Sequence, residues 1–141
     1  MIRVSTRGRY ALRAMVDLAT HANRGPVARH DIAERQDISA DYVAQLFRPL
    51  QEAGFVEGIK GPGGGYRLTR APGDIQVREV VEALEGPVAL APCVDGHGEP
   101  TCPCADHCPT RVLWERLSKT LTDVIDAYTL QDLCNEAEAL S

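Results

Sequence analysis

Residues 39–50 read Ser-Ala-Asp-Tyr-Val-Ala-Gln-Leu-Phe-Arg-Pro-Leu, and Phe55 to Lys60 then lead into the turn Gly61-Pro62-Gly63-Gly64-Gly65 and Tyr66-Arg67-Leu68. Val43, Leu46, Phe47 and Leu50 recur at i, i+3, i+4 and i+7, the spacing of one helix face. Ser39 is a natural N-cap and Gly54 a natural stop. Upstream, His30 to Gln36 forms a short amphipathic segment with Ile32 and Ala33 inward, broken at Asp37-Ile38. Two short helices joined by a tight turn make a helix-turn-helix candidate. Downstream, two short strands around a glycine-rich tip make a β-hairpin. That order predicts a winged helix-turn-helix, mostly α with one small hairpin.

The flanks extend this unit. Ala11, Ala14, Met15, Leu18, Ala19 and Ala22 lie on one face of a helix over about residues 5–23, stopped by Asn23-Arg24-Gly25-Pro26. Ala71 to Asp74 is a connector, and Val77, Val80, Val81 and Leu84 stripe a helix that ends at Gly86-Pro87. A cysteine-rich loop follows. From Pro109, the spacing of Trp114, Leu117, Leu121, Val124 and Tyr128 alternates three and four residues, as in a coiled-coil seam. This predicts a dimerisation helix packed on a partner subunit, the alternative being a core helix of the same subunit. Leu130, Leu133 and Ala137 suggest a short final helix. The expected division is a winged-helix domain over 1–86, a cysteine loop over 87–108, and a dimerisation helix with a C-terminal helix over 109–141.

Charge separates the two halves. Residues 1–70 hold eleven Lys/Arg against seven Asp/Glu, and residues 71–141 hold four against thirteen, so the formal net charge of -5 hides a basic first half. A nucleic-acid surface belongs there. In a helix-turn-helix the second helix reads base edges in the major groove. Its apolar stripe leaves Ser39, Asp41, Tyr42, Gln45 and Arg48 outward or near its start. Gln binds adenine, Ser base or phosphate, and Arg guanine or backbone. At the hairpin, Gly63 and Gly64 let the backbone approach a phosphate or a narrow groove, flanked by Lys60 and Arg67. No stretch nears the ~20 apolar residues of a membrane span and no signal peptide precedes the first helix, so a cytoplasmic protein is expected.

Five cysteines, four of them between positions 93 and 108, point in such a compartment to metal or redox chemistry instead of disulfides. Cys93, Cys102 and Cys108 form C-x8-C-x5-C, with Cys104 and His107 inside the second interval. A Gly/Pro/Asp-rich loop can bend these thiols toward one centre. An iron–sulfur cluster, a structural zinc site completed by Cys104, and a metal-free thiol switch all fit these residues, and spacing does not choose among them. Cys134 lies outside the loop and reads as a small buried residue. Paired carboxylates, nucleophile–base sets and a phosphate-binding P-loop are absent at recognisable spacings, so no enzyme and no small-molecule substrate are expected. A ferredoxin-like electron carrier would leave the basic half without a purpose.

The segments STRGRYALRAMVDLA (5–19), SADYVAQLF (39–47), GPGGGYRL (61–68) and CPTRVLW (108–114) together resemble the Rrf-type winged-helix transcription regulators over nearly the whole chain. The resemblance implies a homodimer that binds a palindromic operator in double-stranded DNA, as repressor or activator, through Ser39, Asp41, Tyr42, Gln45 and Lys60. Lys60 stands where family members controlling iron–sulfur assembly carry arginine, and Ala44 where they carry glutamate. It also implies a cluster at Cys93, Cys102 and Cys108, with [2Fe-2S] favoured over [4Fe-4S]. The signal would be cluster supply, or nitric oxide or iron. Relatives complete the ligand set with a histidine three residues after the last cysteine, or with an aspartate from the first helix of the other subunit. Here those positions hold Arg111 and Thr6-Arg7-Gly8-Arg9, which leaves His107, Cys104 or His97 as fourth ligand, His107 being preferred.

Overall fold

The computed structural model describes residues 3–96 and 102–141. Ser5 starts the first helix, its hydroxyl accepting the Gly8 N–H at 3.0 Å, and α1 runs Thr6–Thr20. The helix is three residues shorter at its end than the pattern suggests, because Ala22–Arg24 tightens into a 3-10 turn before Gly25. Then come α2 (Arg29–Gln36) and α3 (Ala40–Glu52). Between them Asp37 adopts a left-handed conformation, φ 55°, the one non-glycine among the described residues to do so. This supplies the tight turn, and Ser39 caps α3 by accepting the Tyr42 N–H at 3.0 Å.

The hairpin pairs β1 (Val56–Ile59) with β2 (Gly65–Leu68), antiparallel, with Glu57 opposite Arg67 and Gly58 opposite Tyr66. Tyr66 also exchanges backbone bonds with Val27, 2.9 and 2.8 Å, which ties the hairpin to the segment entering α2. After a 3-10 turn at Pro72–Asp74 come α4 (Val77–Glu85), α5 (Pro109–Asp126) and α6 (Leu130–Leu140).

The core joins α1, α2, α3, the hairpin, α4 and α6. Ala11, Met15, Leu18, Ile32, Val43, Leu46, Phe47, Leu50, Ile75 and Leu130 are fully buried. Phe47 meets the Tyr66 ring edge-on, centroids 4.5 Å apart. Cys134 is buried in this core, as its helical position suggests. Although α6 follows the long helix in sequence, it folds back onto α1. Backbone bonds from Val77 to Tyr128 (2.9 Å) and from Leu130 to Ile75 (2.8 Å) fix the corner between α5 and α6.

The buried Asp17 carboxylate is met by Arg35 Nε at 2.9 Å, Arg35 Nη2 at 2.7 Å and Gln36 Nε2 at 2.9 Å. The Asp17 hydrogen bonds push the Arg35 pKa further above its ordinary value. This pair staples α1 to the end of α2.

The long helix is different. Ser118 is its only fully buried position, while Leu117, Leu121, Val124 and Tyr128 are 39–54 % exposed, joined by Val112 and Leu113 at 57 % and 50 %. Four of the five seam positions therefore face away from the chain's own core; Trp114 is half-buried.

Candidate nucleic-acid interface and cysteine segment

Each reading-head residue owes its place to the apolar face of α3. With Val43, Leu46, Phe47 and Leu50 inward, Ser39, Asp41, Gln45 and Arg48 are exposed. Tyr42 is half-buried instead of fully outward: its ring leans on Tyr10 of α1, centroids 6.0 Å apart, and the Arg13 guanidinium sits 4.8 Å over Tyr10. These two α1 residues support the start of the reading helix and were not singled out by sequence. Their signal was faint, a Tyr and an Arg three residues apart on one face.

The hairpin tip keeps Lys60 and Gly63 exposed, and Gly63 has φ 77°. Gly64 has an internal reason to lack a side chain, since a Cβ there would lie 2.1 Å from the Ile59 carbonyl oxygen. Arg67 is bound across the strands to Glu57, Nε to Oε1 2.7 Å, so its guanidinium is already half of an exposed ion pair.

The cysteine segment is anchored to α5 at two levels. Cys93 sits half-buried in a 3-10 turn, Pro92–Val94, whose approach is held by the Leu90 N–H donating to Ser118 Oγ at 3.0 Å. Cys93, Arg111, Glu115 and Ser118 line one cleft with Arg78 and Glu82 of α4. At the other end Cys102 and Cys104 are exposed, Ala105–His107 forms another 3-10 turn, and Cys108 is the residue before α5 begins. Thr110 Oγ1 lies 3.0 Å from Cys108 Sγ. That hydroxyl first, then the backbone N–H groups of Arg111 and Thr110 and the Arg111 charge, hold the Cys108 thiol below its ordinary pKa. Burial pushes the Cys134 thiol the other way.

Arg111, at the position where the resemblance expects a ligand, donates from Nη1 to the Ala105 carbonyl at 3.1 Å and approaches Glu115 at 3.3 Å. A permanently protonated guanidinium so engaged offers no lone pair. His107 is exposed beside Cys108, and His97 lies outside the described residues. Among the described residues no three His, Cys, Asp or Glu side chains stand together as a metal site. The donor chemistry nonetheless suits a soft-metal centre, with thiols on one segment and one of them primed to ionise.

A helix-turn-helix backed by a hairpin wing, with a polar reading helix and an exposed apolar arm, defines a winged-helix regulator. The family model described as "Iron-dependent Transcriptional regulator", Rrf2, matches residues 4–136, and the chain belongs to that family. It is 41 % identical over 140 residues to the HTH-type transcriptional regulator IscR of Pectobacterium atrosepticum, covering 99 % of this chain and 84 % of that one. Among solved structures it is similar to T. potens IscR, with 36 % identity, TM-score 0.80 and coverage of 99 % and 91 % of the two chains. CymR (YrzC), the global cysteine regulator of B. subtilis, gives 34 % identity and TM-score 0.78 over 96 % and 98 %. The curated relative is named a transcriptional regulator and CymR a global cysteine regulator. Among the described residues, no helix is long and apolar enough to cross a membrane.

Proposed function

We propose that this chain is a homodimeric regulator that binds a palindromic operator in double-stranded DNA, its affinity set by an iron–sulfur cluster at Cys93, Cys102 and Cys108. One observation carries the coupling: Cys108 is the cap residue of the very helix whose apolar stripe is left bare. A ligand and the subunit contact thus share one element. Dimers read two half-sites at a fixed separation, so a change at this helix alters how well both reading heads fit at once.

On DNA, Gln45 and Arg48 offer donors to base edges or phosphates, Ser39 retains its hydroxyl proton while capping α3, and Lys60 and Gly63 bring the wing tip to the backbone. Asp41, exposed, and Tyr42, half-buried, lie at the start of the same helix within the set that meets the operator. At the cysteine segment, Cys108 has a thiol held below its ordinary pKa by the Thr110 hydroxyl, and Cys93 and Cys102 join it from the two flanks of residues 97–101. His107 completes the set, with Cys104 as the alternative. When bound, a cluster supplies a redox- and supply-sensitive crosslink between thiols that are otherwise ungathered. Gathering them would reorder the segment, and a difference of ~1–3 kcal/mol in operator binding between the two segment states would give a regulatory range.

The deciding experiment is anaerobic purification with visible absorption and iron, sulfide and zinc analysis, followed by retardation of a palindromic operator fragment with and without the cluster. Iron and sulfide in equal amounts and a changed operator affinity are expected. Zinc alone would replace the cluster by a structural metal, and equal affinity of the two forms would remove the switch.

A further inference from the structure

The half of the cysteine segment nearest α5 is already organised. The Ala105 N–H donates to the Cys102 carbonyl at 3.1 Å, and the His107 N–H to the Cys104 carbonyl at 3.0 Å. Ala105 is the buried residue of this exposed stretch. One side chain fastens the turn to the helix. Arg111 reaches back with Nη1 to the Ala105 carbonyl while Nε faces Glu115 one turn further on, and its own N–H donates to the Cys108 carbonyl at 3.3 Å. A guanidinium suits this task because one arm of its rigid planar fork serves the carbonyl while its charge stays within ion-pair reach of Glu115, although Nε itself makes no hydrogen bond.

We propose that Arg111 is a positioning residue that latches the Cys102–Cys108 turn onto the start of α5, so that the thiols of this turn meet a metal centre as a preorganised unit. The metal centre is that of the cluster reading above, on which this inference rests. Without the latch, the Ala105 carbonyl loses its side-chain donor and, among the described residues, the turn is left to its i to i+3 bonds and the Cys108–Thr110 contact, and such short-range bonds seldom hold an exposed segment in one conformation. Glu115 offers only an exposed i, i+4 charge at 3.3 Å, with no hydrogen bond to Nε, and contributes less.

The test uses the full chain with Arg111→Ala, Arg111→Lys and Glu115→Gln. In metal-free protein, Arg111→Ala accelerates amide hydrogen exchange at residues 105–108 by about tenfold and leaves α1–α4 unchanged. After anaerobic reconstitution with ferrous iron and sulfide, its visible absorption is lost to a chelator ~10–100-fold faster, the scale of changes in groups that orient metal ligands. Arg111→Lys keeps the charge without the fork and recovers only a minor part of either effect, and Glu115→Gln shifts both slightly. Unchanged exchange in Arg111→Ala overturns the latch, as does full rescue by Arg111→Lys, which would reduce the residue to a charge. If the wild-type chain takes up no cluster while Arg111→Ala still loosens the turn, the latch stands and the cluster reading falls.

Discussion

The winged-helix body and the cysteine segment are built on opposite plans. In the body, side chains from six elements close over one core, and even a carboxylate, Asp17, is buried with three donors from α2 on it. In the segment, Cys102, Cys104 and His107 are exposed and the organisation comes from two tethers, Ser118 and Arg111, on a helix that buries almost nothing itself. The first region is specified by what it excludes from water. The second has few internal contacts among its described residues, the kind of region that a bound group would reorganise most readily.

That contrast can be broken most forcefully at Phe47. Phe47→Ala removes a fully buried ring that packs on Tyr66 and should cost ~3–5 kcal/mol in urea unfolding, abolishing DNA binding with the fold. A loss below ~1 kcal/mol would mean that the body is as loosely built as the segment. Leu121→Glu tests the arm: sedimentation should give a monomer, and operator affinity should fall at least ~100-fold through loss of the second reading head. Its unfolding midpoint, measured on the monomer, should shift by no more than ~0.5 kcal/mol equivalent.

Asp17→Ala should destabilise by about 2 kcal/mol, less than the ~3–5 of a fully buried pair, because Arg35 is 35 % exposed and turns to water. Lys60→Ala should weaken operator binding modestly and lower the slope of log affinity against log salt by about 1, as removal of one phosphate contact does. An unchanged slope would take the wing off the DNA. The smallest stability effect belongs to Cys102→Ser, within ~0.5 kcal/mol of wild type, yet iron retention after anaerobic gel filtration should be lost.

The same contrast explains what the sequence reveals. Ser39, the stripe from Val43 to Leu50, the break at Asp37 and the end of α4 at Gly86 are local features, each decided by residues within a turn or two, and they read directly as the winged helix. The Asp17–Arg35–Gln36 staple joins residues 18 and 19 positions apart, and nothing in a lone aspartate on a helix announces its partners. The glycines of the tip illustrate a different loss. Their composition is plain, but whether Gly64 makes room for a ligand or for the Ile59 carbonyl depends on the closed hairpin. For the cysteines, residue type speaks and spacing does not, since several foldings of one exposed loop are compatible with C-x8-C-x5-C. Thr110 follows a local rule that the cysteine spacing does not reveal: a hydroxyl two residues after a helix-capping cysteine is placed to bond its sulfur.

The backbone bonds between Val77 and Tyr128 and between Ile75 and Leu130 make the C-terminal end of α5 a fulcrum. From that pivot the helix extends 18 residues to Cys108, a lever arm of ~27 Å at ~1.5 Å per residue. A tilt of only about 5° at the pivot moves the cysteine end by roughly 2 Å over such a length. A displacement imposed at the thiol end would accordingly reach the other end reduced in distance, beside the start of α4.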